Sequence, residues 1–118
     1  MTITIPGVDA QKRTELYGGD DDRYLIALQS YVDNAPEVLN KLRDVSAETL
    51  GVYAAAIGGI LGFFTTIGAE ELKKTAAKQE ALAKEGNLAG VQKGNEAFLK
   101  QADTLVTDVK AWINRNRS

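Results

Sequence analysis

The sequence predicts an all-α protein: an antiparallel up-down four-helix bundle with a short additional helix at the N-terminus. Three observations predict it. Apolar residues recur at spacings of three and four over most of the 118 residues. Glycine-containing stop signals divide this pattern into segments joined by short loops, which favours antiparallel neighbours. No strand pattern longer than residues 2–5 occurs, and the length is that of one domain, residues 1–118.

The composition excludes several kinds of chemistry. The chain has no cysteine and no histidine, which removes disulfides, thiolate metal sites and the side chain most often used as a general base. A net charge of -2 provides no electrostatic footprint for nucleic acid. We therefore expect no metal, no cofactor and no nucleic-acid partner. The first ten residues have neither a basic region nor a long apolar run, which predicts a cytoplasmic protein or a recombinant soluble one.

An extended lead-in is predicted for residues 1–8, followed by five helices. Their predicted ranges are 9–17, 20–44, 47–66, 69–85 and 88–114. Gly18 and Gly86 are stop signals for the helices before them. The carboxylates of residues 20–22 suit the positive end of a helix dipole, so capping is favoured over a metal site. Pro36 lies inside the second helix and predicts a kink or a break near Asn34.

The most apolar stretch is Thr49–Ala69, which contains no charged residue. Its length meets the criterion for a membrane span. However, internal polar residues, the glycines at 51, 58, 59 and 62 and acidic flanks favour a buried helix of a bundle, and no membrane association is expected. Steps of four and three residues define one core-facing seam: Tyr53, Ile57, Ile60, Phe64 and Ile67.

Several separate blocks of the sequence resemble the histidine-containing phosphotransfer (HPt) domain of bacterial two-component phosphorelays. The blocks are IPGVD at 5–9, LYGGD at 16–20, Tyr24 leading to Tyr31 and Pro36, IGGILGFFTTIGAEEL at 57–72, and AKEGNLAGV at 83–91. The resemblance extends over nearly the whole chain. The resemblance implies an HPt-like bundle whose third helix would carry the phosphorylation site, with the receiver domain of a response regulator as partner.

The chain differs from this family at the positions of the residues that carry out phosphotransfer. Gly58 stands at the position of the phosphorylated histidine, and Leu61 stands at that of a lysine that helps to hold the phosphoryl group. Phe63 and Phe64 occupy positions that are usually small, whereas Gly62 stays small. Without a nitrogen nucleophile, phosphotransfer by the family mechanism is chemically unavailable. These losses inside a retained motif favour an engineered variant over natural drift.

Three functional hypotheses follow. The first is an engineered scaffold whose former phosphosite helix, at Gly58, Leu61 and Gly62, was remodelled into a small-molecule pocket or designed site. The second is a protein-interaction module, in which this apolar face binds a second copy or a receiver domain. The third is a natural pseudo-HPt scaffold. No catalytic residue can be nominated, and a designed activity stays open. The candidate pocket or interface residues are Ala27, Ala55, Gly58, Leu61, Gly62, Phe63, Phe64, Thr65 and Gln79.

Overall fold

The computed structural model describes residues 3–116 and is helical, with no strand in that range. The helices are α1 (Gln11–Tyr17), α2 (Asp21–Asn40), α3 (Leu50–Ile67), α4 (Glu70–Lys84) and α5 (Leu88–Arg115). The four long helices enclose one hydrophobic core. α2 packs against α3 and α5, and α4 also packs against α3 and α5, so the contacts close into a ring. The predicted all-α class is confirmed; Met1 and Thr2 of the predicted lead-in lie outside the described residues.

Local signals fix several helix ends as the sequence predicts. Gly18 ends α1 in the left-handed conformation, with φ of 59°. The Asp20 side chain accepts a hydrogen bond of 3.2 Å from the Arg23 backbone N–H, which caps α2. The Asn87 side chain accepts one of 2.9 Å from the Gly90 backbone N–H at the start of α5. These carboxylate and amide groups therefore act as helix caps.

Two boundaries differ from the prediction by three residues or more. α2 ends at Asn40 rather than at residue 44. Just beyond its end, the Leu42 carbonyl accepts a buried hydrogen bond of 2.7 Å from the Asn95 side chain, which diverts the chain toward α5. α3 begins at Leu50 rather than at residue 47. There the Ser46 backbone N–H donates to the Thr49 hydroxyl at 2.8 Å, and this local bond competes with helix formation.

Of the kink or break predicted near Asn34, the break is wrong, because α2 runs through Pro36 without interruption. Pro36 is itself exposed, whereas Ala35 and Leu39 beside it are completely buried in the core. Tertiary packing on both sides of the proline holds the helical path despite the missing backbone donor.

By length and composition alone, α3 is apolar enough to cross a membrane. In the folded chain its predicted seam is confirmed: Tyr53, Ile57, Ile60, Phe64 and Ile67 are all buried. The core helix of a soluble protein passes the same test, and the packing of α3 within the bundle is compatible with such a protein.

Candidate functional site

The solvent-facing side of α3 carries no charged side chain. Its exposed residues are Gly51, Val52, Ala55, Gly59, Gly62 and Thr66. A surface helix ordinarily presents charged and polar groups to water, so this side is unusual. Val52 exposes 58% of its surface, and Ile26 on the adjoining α2 exposes 69%. We define the α2–α3 face as these six residues with Phe63 of α3 and with Arg23, Ile26, Ala27 and Ser30 of α2.

An open groove of about 570 Å³ lies within the α2–α3 face. It is lined by Tyr17, Arg23, Ile26, Ala27, Ser30, Gly59, Gly62, Phe63 and Thr66. Its walls are mostly apolar, and Arg23 is the one charged residue among them. A groove of this composition is suited to binding an apolar group that carries one polar or anionic end.

Hydrogen bonds and ring contacts hold the walls of the groove. The Tyr17 hydroxyl donates a hydrogen bond of 2.9 Å to the Thr66 carbonyl, which joins α1 to the end of α3. Burial raises the pKa of Tyr17, and the positive charge of Arg23 opposes that rise. The Phe63 ring meets the Tyr31 ring edge-on, with centroids 6.1 Å apart. The partly buried residues that line the groove are therefore held in place by contacts with one another and with the core.

The nine predicted site residues do not form one pocket. Ala27, Gly62 and Phe63 line the groove, and Ala55 is exposed on the same side of α3. Phe64 lies in the core at 0% exposure, and Gln79 is buried at 3%. The remaining three are partly buried residues of α3: Gly58, Leu61 and Thr65.

Gly58, which the resemblance places at the position of the phosphorylated histidine of HPt domains, faces α4. A Cβ atom at residue 58 would lie 3.0 Å from Oε2 of Glu80. Glu80 in turn forms an ion pair of 3.8 Å with Lys84. The Thr65 hydroxyl donates a hydrogen bond of 2.9 Å to the Leu61 carbonyl. The charged groups nearest residue 58 are thus the Glu80 carboxylate and the Lys84 ammonium that pairs with it.

A buried polar network explains why Gln79 lies in the core. Nε2 of Gln79 donates to the Tyr53 hydroxyl at 3.1 Å and to the Val91 carbonyl at 3.0 Å. The Tyr53 hydroxyl donates to Oδ1 of Asn95 at 2.8 Å. Burial raises the pKa of Tyr53, and the bond from Gln79 opposes the rise. These bonds join α3, α4 and α5 inside the core, which explains why an amide is buried there.

Sequence reasoning missed Asn95 as a member of this network. The available signal was its place in α5: Asn95 lies four residues after Val91 and three before Phe98, both of which are core residues. A polar residue within an apolar stripe needs a buried partner. Gly94 beside it is also explained, because a Cβ there would lie 2.8 Å from Oε1 of Gln79.

Comparisons with known protein families, with curated proteins and with solved structures find no match to this chain. The α2–α3 face and the surroundings of residue 58 are therefore the features from which a function can be inferred.

Two glycines on the α2–α3 face weaken α3 although nothing inside the chain requires them. A Cβ atom at Gly59 or Gly62 would meet no atom within 4 Å. We expect Gly59→Ala and Gly62→Ala each to raise the free energy of unfolding by up to about 1 kcal/mol, because alanine favours the helix. Urea denaturation at low protein concentration measures this change.

The control for these two variants is Gly68→Ala, which is expected to destabilise the fold. Gly68 has φ of +82°, and a Cβ there would lie 2.7 Å from Cβ of Lys12. A loss of stability in Gly59→Ala or Gly62→Ala would contradict the open, uncrowded surface described for α3.

Proposed function

We propose that the chain is a phosphotransfer-incompetent, HPt-like binding module that acts in the cytoplasm through its α2–α3 face. The observation that supports this most directly is the charge-free, exposed side of α3 in a chain of which 25% of residues are charged. An exposed apolar surface of this kind marks interaction sites. The absence of any histidine removes the family's phosphate acceptor.

Contacts between the helices support the antiparallel up-down arrangement of this proposal. The Tyr24 hydroxyl donates to the Ile67 carbonyl at 2.9 Å, which brings the start of α2 to the end of α3. α2 and α5 also run in opposite senses along their contact. Tyr31 bonds to Ala102, whereas Leu42, farther along the chain than Tyr31, bonds to the earlier residue Asn95.

The partner class that we propose is a receiver domain, which the HPt resemblance implies. The small residues of α3 leave its backbone accessible to a partner, as close packing of a helix against another protein requires. A module that binds a receiver without accepting its phosphate would act as a decoy or a scaffold. This holds equally for an engineered variant and for a natural pseudo-HPt protein.

A binding experiment with receiver domains tests this function. We expect at least one member of a panel of bacterial response-regulator receivers to bind in isothermal titration, with no phosphate transferred. Gly62→Arg should abolish binding, because it puts a long cation on the α2–α3 face at a position with open space around Cβ. The matched control is Ala77→Arg on exposed α4. Equal binding by the two variants, or no binding by any receiver, would contradict the proposal.

The groove supports a second candidate function, which is an engineered scaffold with a small-molecule site. Its volume of about 570 Å³ is in the usual range for ligand pockets. The probe is 1-anilinonaphthalene-8-sulfonate, whose apolar rings and single anionic group match the apolar walls and Arg23. Saturation at one dye per chain, lost in Gly59→Leu, would support the site. A signal that does not saturate, or that Gly59→Leu leaves unchanged, would contradict it.

A further inference from the structure

We infer that the α2–α3 face binds a second copy of this chain, in an antiparallel dimer with two-fold symmetry. This inference rests on the proposed function in one respect, since it takes the same face as the binding surface. It differs in the partner, and it requires neither a receiver domain nor the HPt resemblance.

Exposed apolar side chains lie at opposite ends of the face. Val52 is in the first turn of α3, whereas Ile26 lies beside the last turns of α3, where Gly62 and Phe63 line the same groove. A two-fold axis near Gly59, in the middle of the exposed run, would bring Val52 of each copy toward Ile26 of the other. Both side chains, 58% and 69% exposed in the single chain, would then be covered.

The charges bordering the face are complementary in the same antiparallel sense. Arg23 lies at the groove beside the end of α3, whereas Glu48 precedes the start of α3. Glu37 follows Arg23 by 14 residues, which is about 21 Å along nearly the same side of α2. Asp21 pairs with Arg13, and Asp20 caps α2. Within the described residues, Arg23 is therefore the cation at this end that has no ion pair. Antiparallel apposition sets Arg23 of each copy against Glu37 and Glu48 of the other.

These three charged groups are available for contacts between copies. All three are exposed, and within residues 3–116 none of them takes part in an ion pair. Asp22, next to Arg23, points about 100° away around α2, and Lys41 lies past the end of α2. A parallel arrangement would place Arg23 against Arg23 and glutamate against glutamate, so these three groups favour the antiparallel one.

The size of the face predicts a weak, reversible dimer. The 18 residues of α3 are about 27 Å long, and with the edge of α2 the face is about 18 Å wide. Two such footprints cover roughly 1,000 Å², at the low end of specific interfaces. We therefore expect a dissociation constant on the order of 100 μM.

Analytical ultracentrifugation of the full chain from about 5 μM to 1 mM tests the dimer, over a range that brackets this constant. We expect a monomer–dimer equilibrium. Arg23→Glu should weaken it about tenfold or more, because it sets carboxylates against carboxylates twice per dimer. The double variant Glu37→Arg with Glu48→Arg should weaken it similarly. The two variant chains, when mixed, should form a heterodimer that is tighter than either homodimer.

The control is Lys93→Glu, a charge reversal at an exposed residue of α5 that lies outside the α2–α3 face. It should leave the equilibrium within about threefold of the parent, as expected for a distant surface charge. All altered residues are exposed, and circular dichroism checks that each variant is folded. A strictly monomeric parent at 1 mM overturns the dimer. The antiparallel geometry is overturned if Arg23→Glu does not weaken the dimer. It is also overturned if the mixed variants form no heterodimer tighter than either homodimer.

These outcomes can be distinguished from failure of the proposed function. Receiver binding is measured at low concentration, where the chain is monomeric. A monomeric chain that binds a receiver refutes the dimer alone, and a dimer without receiver binding refutes the receiver proposal alone. Where both occur, a receiver and a second copy compete for the α2–α3 face, so raising the chain concentration should weaken receiver binding.

Discussion

Replacing Asn95 with alanine is expected to lower the free energy of unfolding by about 3 kcal/mol. Asn95 is only 5% exposed, and it is bonded on both sides of its amide. Its Oδ1 accepts the Tyr53 hydroxyl proton at 2.8 Å, and its Nδ2 donates to the Leu42 carbonyl at 2.7 Å. The variant leaves both partners buried without their bonds, at about 1–3 kcal/mol for each group, and it also opens a small cavity.

Urea denaturation compares Asn95→Ala with the matched control Asn34→Ala. Asn34 is exposed on α2, and its side chain bonds only to Ser30 within the same helix, so the control should change stability by no more than about 0.5 kcal/mol. A loss below about 1 kcal/mol in Asn95→Ala would show that water satisfies the freed groups. That result would contradict the closed network.

A double-mutant cycle separates the Tyr53–Asn95 bond from the rest of the network. Tyr53→Phe removes one hydroxyl and leaves Gln79 with its bond to the Val91 carbonyl at 3.0 Å. Tyr53→Phe alone should therefore cost less than Asn95→Ala. The combined variant should cost less than the sum of the two, because both remove the same bond.

The sequence predicts the helices and the core side of α3 because these depend on local periodicity. Tyr53, Ile57 and Ile60 repeat at helical spacing whatever they pack against, and Gly18 stops α1 through its own conformation. The end of α2 depends instead on a bond between Asn95 and Leu42, which are 53 residues apart. No local pattern encodes that bond, so the predicted end at residue 44 was four residues too far.

The nine candidate site residues do not lie together in the structure, and the reason is related. Small residues could be placed on α3 from the sequence, but the side of α3 facing each neighbour is set by how α2 and α4 pack on it. Gly58 is directed to Glu80 of α4, whereas Gly62 is directed to the groove with Ala27 of α2. The α2–α3 face is formed by two helices together, and neither helix shows it alone.

On the HPt-like function proposed above, placing histidine at residue 58 and lysine at residue 61 is expected to make the chain a phosphate acceptor. The double variant Gly58→His with Leu61→Lys places the two groups three residues apart on α3, on one side of the helix. The position at residue 58 is accessible, because the nearest atom to a new Cβ is Oε2 of Glu80 at 3.0 Å, at the end of a flexible side chain. That carboxylate can accept an imidazole N–H and leave the other ring nitrogen as the nucleophile.

Incubation with the panel of receivers, phosphorylated on their aspartates, measures this gain. The phosphoryl group would leave the aspartyl oxygen and bond to the imidazole nitrogen, giving acid-labile label on the double variant and none on the parent. The matched control, Gly58→Gln with Leu61→Lys, carries the lysine and a polar side chain without a ring nitrogen, and it should stay unlabelled. If the double variant is folded and no receiver labels it, the result contradicts the resemblance to HPt domains at the positions assigned to their phosphotransfer chemistry. If it is labelled, histidine and lysine at residues 58 and 61 are sufficient to make this bundle a phosphate acceptor, and a receiver can reach the part of α3 around residue 58.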